Sequence, residues 1–154
     1  MGTLAGCAGT SGGEACRLVG VQTGIGLRIA GPVAEQFTTV EMVICRGATC
    51  QTQQVTLLPS STVTDNGCAA GGPDAVCSAD AVATGDKVGF VSVADLPSSP
   101  VEVTLSLADV TGAEFVAETV TLTAKQVDVP GGGCGSGLQG HLDVDAEANV
   151  RSGA

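Results

Sequence analysis

The chain has 154 residues, 44% of them apolar, and a formal charge of −10 from 16 acidic against 6 basic side chains. That length fits one domain of ordinary size, and the acidic balance, with no Lys/Arg cluster to offset it, excludes a phosphate backbone as partner. With three Phe, no Tyr and no Trp, the core must rest on many aliphatic contacts, and stacking platforms for sugars or bases are lacking.

Residues 1–15 are rich in Gly, Ala, Ser and Thr and read as a flexible tether. Residues 16–151 read as a single domain of short alternating runs. The first runs are CRLVGVQT and GIGLRIAG, the second with Ile25, Leu27 and Ile29 on one face and Arg28 on the other. FTTVEMVIC follows, alternating at Val40, Met42 and Ile44, and CQTQQVTLL returns from it. Residues 59–86 are dense in turn residues and read as a long connection with a short helix around Ala79 to Val82. KVGFVSV is the next strand, and then Val101, Val103, Leu105 and Leu107 give the clearest apolar face in the chain. Thr111-Gly112 suits a hairpin turn into AEFVAETVTLTA, where Val116, Val120 and Leu122 share a face. A glycine-rich loop, VPGGGCGSG, precedes a last run, GHLDVDAEANV. Eight or nine short strands, and no amphipathic helix of ten residues, argue for an all-β antiparallel sandwich.

Seven cysteines leave at least one without a partner in the chain. Cys45 and Cys50 flank a four-residue hairpin loop between two strand-like runs, which would set them opposite each other. Cys68 and Cys77 enclose a Gly-Gly-Pro turn. Cys16 and Cys134 then remain to clamp the first strand to the last segment, a staple on the order of 4–5 kcal/mol by chain entropy. Zinc sites want short paired spacings or several histidines, whereas these spacings are longer and His141 is the only histidine. Disulfides imply an oxidising, extracellular or envelope compartment. Cys7 is left over.

Few residues invite chemistry. His141, Asp143, Asp145 and Glu147 alternate and would share one strand face. Three carboxylates spread over roughly 13 Å fit a solvated edge strand better than one cation. No nucleophile elbow occurs and the glycine-rich stretches lack the Lys-Ser/Thr of a phosphate loop. The expectation is a protein that is not an enzyme, with no cofactor and no metal.

Four resemblances refine this. FVSVADLPSSPVEVTLSLADVTG resembles the late strands of immunoglobulin-like and fibronectin-like domains, which implies an immunoglobulin-like sandwich. Leu4-Ala5-Gly6-Cys7 resembles the bacterial lipobox, followed by a small-residue tether, AGTSGG. That likeness implies lipid attachment at Cys7 and membrane anchoring at the cell envelope. The Ala/Gly/Val/Thr-rich composition is similar to that of exported actinobacterial proteins. A weaker likeness is to neocarzinostatin-type apoproteins, whose short and longer cysteine loops come in the opposite order. The functional expectation is a lipid-anchored binding or structural protein with a protein or small-molecule ligand. Its alternatives are a carrier with an apolar cleft, and a secreted protease inhibitor presenting Arg46-Gly47-Ala48-Thr49.

Overall fold

The structure, a computed structural model, describes residues 20–69, 71–129 and 135–153. Among these residues ten strands form two sheets packed face to face, with one helical turn beside them. The strands are β1 (Gly24–Ile29), β2 (Thr39–Arg46), β3 (Thr49–Gln54), β4 (Leu57–Ala69), β5 (Val76–Ser92), β6 (Val101–Ala108), β7 (Glu114–Leu122), β8 (Lys125–Asp128), β9 (Ser136–Val144) and β10 (Val150–Gly153). One sheet runs β10-β9-β1-β5-β4, with β8 also paired to β9; the other runs β3-β2-β6-β7.

Alternation builds the core. Ile25, Leu27 and Ile29 of β1, with Leu142 and Val144 of β9, face Met42 and Ile44 of β2 and Val103, Leu105 and Leu107 of β6. All are at most 2% exposed and, among the described residues, no polar or charged one is buried with them, so the space between the sheets is filled by aliphatic side chains. β6 lies between β2 and β7, and a turn in which Asp109 accepts the N–H groups of Thr111 and Ala113 leads into β7. Gly112 takes φ 82° there, a conformation glycine adopts without steric cost.

Several expectations change. Pairing is antiparallel throughout except between β1 and β9, which run parallel. The described part of CRLVGVQT, residues 20–23, is not a strand; Thr23 instead bonds Val93 and Leu138. The turn-rich connection with its helix is a long antiparallel ribbon: β4 and β5 stay paired out to Cys68–Cys77 and Ala69–Val76. No residue from Ser61 to Gly85 among those described is buried. A ribbon with two wet faces needs no apolar alternation, which is why its Ser, Thr and Asp content reads as turns. KQVD, between the last predicted strand pair and the glycine-rich loop, forms β8. β9 begins inside the stretch read as a loop.

Both local disulfides are formed, Cys45–Cys50 with Cα atoms 4.1 Å apart and Cys68–Cys77 with 3.9 Å. The first closes a tighter hairpin than expected, with Arg46 paired to Thr49 around a two-residue turn at Gly47-Ala48. Cys7, Cys16 and Cys134, and with them the tether and the third staple, lie outside the described residues. Two disulfides fit an extracellular or cell-envelope protein. Among the described residues no helix is long and apolar enough to cross a membrane.

Candidate functional site

The outward face of the larger sheet carries the most distinctive surface. Side chains alternate along each strand, so the buried Ile25, Leu27 and Ile29 leave Gly24, Gly26 and Arg28 pointing outward from β1. Register then fixes their neighbours. Gly26 lies between Phe90 of β5 and His141 of β9, and His141 in turn lies beside Gly153 of β10. One step along, Gly24 lies between Ser92 and Gln139, and Gln139 opposes Lys125 of β8.

The glycines turn this face into a slot. A Cβ on Gly24 would stand 2.7 Å from Cζ of Phe90, and one on Gly26 would stand 3.1 Å from Nδ1 of His141. The two rings thus lean into space that side chains on β1 would fill. Between them lies a depression of about 360 Å³ bordered by Gly26, Phe90, Lys125, Val127 and His141. It continues on one side into a hollow of about 380 Å³ at Gly20, Val21 and Val127. On the other it meets one of about 400 Å³ at Leu58 and Val88. Phe90 borders all three and is 40% exposed, beside Leu58 at 64% and Val127 at 38%. Exposed large apolar side chains gathered around one aromatic ring mark a contact surface rather than scattered surface residues.

Charge around the slot is arranged in pairs. The Arg28 guanidinium donates to Asp86 from Nε and Nη2, at 3.0 and 2.7 Å, and to Asp143 from Nη1 at 2.9 Å. These bonds, Asp86 foremost, hold its pKa above the ordinary arginine value. Asp86 also accepts the Gly31 N–H at 2.9 Å, which pins the single helical turn α1 (Gly31–Ala34) beside the sheet. Arg151 pairs with Asp145 and Arg46 with Asp95. The Lys87 ammonium sits 5.0 Å from the centre of the Phe37 ring. Lys125, at the slot, makes no ion pair with any described residue.

The four alternating residues read from GHLDVDAE separate. His141 and Asp143 stay on the outward face of β9, but the strand stops at Val144. Asp145 starts a tight turn, accepting the N–H groups of Glu147 and Asn149, with Ala148 at φ 64°. Its carboxylate is occupied by these donors and by Arg151. β9 is no edge strand either, since β1 flanks one side and β8 and β10 pair along it as well. Among the described residues no three His, Cys, Asp or Glu side chains gather as a metal site would require. Arg46 of the proposed inhibitor loop is tied to Asp95 through its side chain and to the Asp95 carbonyl at 2.9 Å.

Phe90, Lys125 and Val127 were not singled out from the sequence. One signal was present: in KVGFVSV the buried phase is Val91 and Val93, which puts a phenylalanine on the wet face. The glycines it leans on are far away in the chain, and only register brings them together.

In comparisons with protein-family models, with curated proteins and with solved structures, the chain finds no significant match.

Proposed function

We propose that the chain is a non-enzymatic binding domain of the cell envelope that holds a small apolar ligand in the outward slot beneath Phe90. The observation that carries this reading is the exposed phenylalanine leaning over a glycine floor, flanked by Leu58, Val88 and Val127. A carrier that encloses its ligand between the sheets would need space that aliphatic side chains already occupy, so ligand binding moves to the outside of the sheet. The lipobox likeness at Cys7 supports a lipid anchor, and two acyl chains give stable membrane attachment.

Titration with N-phenyl-1-naphthylamine, a neutral apolar dye that brightens out of water, tests the slot. Saturable brightening is expected, weakened about tenfold in Phe90→Ala, the loss of roughly 1.4 kcal/mol of apolar contact. Absence of saturation, or equal binding by a folded Phe90→Ala, refutes the slot as a binding site. The anchor is tested separately by mass spectrometry of the native membrane-fraction protein, where an unmodified Cys7 overturns it.

A further inference from the structure

We infer that the slot selects an anionic amphiphile, an extended apolar body ending in one carboxylate. The body lies across the strands over Gly26, and the carboxylate meets Lys125. This inference rests on the slot being the binding site and adds the chemical class of its ligand.

Three observations lead to it. The first is a gradient of polarity across the sheet. Leu58 and Val88 stand outward at the β4/β5 side, bare glycine occupies the middle, and Lys125 and His141 stand at the β8/β9 side. From β4 to β8 is four strand steps, roughly 19 Å at about 4.8 Å each, the span of an extended acyl chain rather than of a short acid.

The second is the distribution of charge. The chain carries 16 acidic residues, yet among the described residues none borders the depression between Phe90 and His141; Asp128 borders the adjoining hollow, where it accepts from Gln126. Asp143, the nearest outward acid on β9, shares Arg28 with Asp86, which offsets part of its charge. A net charge of −10 repels anions over most of the surface, and this is where that repulsion is locally relieved.

The third is that Lys125 is unspent among the described residues. Arg28, Arg46 and Arg151 are held in ion pairs and Lys87 lies over Phe37, whereas Lys125 pairs with no described acid. The imidazole of His141 likewise hydrogen-bonds no described residue, and Gly26 and Gly153 on its two sides leave it open. An apolar body seated on the glycine floor excludes water beside Lys125, which strengthens its attraction for a carboxylate.

Isothermal titration at neutral pH and physiological salt, below micelle formation, separates the possibilities. The probes are dodecanoate, dodecanol and dodecyltrimethylammonium, which share one tail and differ in head charge. Dodecanoate is expected to bind about fivefold more tightly than dodecanol, and the cationic probe most weakly. Lys125→Gln lowers dodecanoate affinity about 3- to 10-fold and leaves dodecanol within twofold, and Lys125→Arg restores dodecanoate binding. Lys125 is exposed, so these variants keep the fold, and an unchanged melting temperature verifies it. Equal affinity for the three heads, or equal losses for dodecanoate and dodecanol in Lys125→Gln, overturns the anionic class while dye binding at Phe90 stands. Failure of all three probes with the dye still saturating also overturns it, whereas failure of the dye as well refutes the slot itself.

Discussion

Alanine at Gly24 and at Gly26 should have opposite effects, although the two positions are two residues apart on the same outward face. In both cases the unfolded chain loses freedom, which favours alanine by about 0.4–1 kcal/mol where the fold accepts a methyl group. At Gly26 the one tight neighbour of the new Cβ would be Nδ1 of His141, at 3.1 Å, the Gly140 carbonyl oxygen lying at an ordinary 3.8 Å, and that nitrogen belongs to an exposed ring that can swing aside. The stabilisation survives, and Gly26→Ala should be neutral or up to about 1 kcal/mol more stable. At Gly24 the Cβ would stand 2.1 Å from the Val91 carbonyl oxygen as well as 2.7 Å from the Phe90 ring. The ring can move, but Val91 is buried and its backbone runs beside β1 in the ladder, so the strands must part. Overpacking of that kind costs about 1–3 kcal/mol. The net is about 1–2 kcal/mol of destabilisation, or roughly 3–8 °C in melting temperature for a domain of this size. Scanning calorimetry of the two variants beside the parent measures it. A Gly24→Ala protein that melts at or above the parent refutes the argument that the bare position is required. A Gly26→Ala protein that loses as much as Gly24→Ala shows that His141 is not free to yield.

Two further outcomes follow from the fold. Replacing both Cys68 and Cys77 by serine should loosen the ribbon by about 2–3 kcal/mol. Amide exchange over residues 61–83 would then quicken tens- to a hundredfold while β1 and β6 and the melting temperature of the sandwich are unchanged; a sandwich that melts earlier would show that the ribbon is part of the cooperative unit. The Asp109 carboxyl is held below its ordinary pKa chiefly by the Thr111 hydroxyl, and that of Asp145 chiefly by the Asn149 N–H. A lowered native pKa gives stability that is present above the unfolded value and lost as pH falls through the native one. The deficit of Asp145→Asn at pH 6, read from urea midpoints, should therefore shrink below about pH 4, and a constant gap down to pH 2 refutes it.

Phase along a strand was legible in the residues themselves. Ile25, Leu27 and Ile29, and likewise Val101, Val103, Leu105 and Leu107, are buried because side chains alternate across a sheet and one face must leave water. The Cys45–Cys50 and Cys68–Cys77 pairs were legible for a related reason: short loops between opposed strands leave few partners within reach. These signals are local, and they established a two-sheet, disulfide-bearing sandwich.

What they did not contain is which strands become neighbours. β1 and β9 are separated by more than a hundred residues and pair in parallel, a contact that no local pattern announces. The ribbon of β4 and β5 escaped notice because a strand exposed on both faces has no hydrophobic period to read. The slot depends wholly on such non-local register: Gly26 is an ordinary strand glycine until β5 brings Phe90 to one side and β9 brings His141 to the other. The sequence determined which face of each core strand is wet. The tertiary structure decided what stands beside it there, because hydrogen-bonded register between distant segments, and not alternation within one, sets lateral neighbours in a sheet.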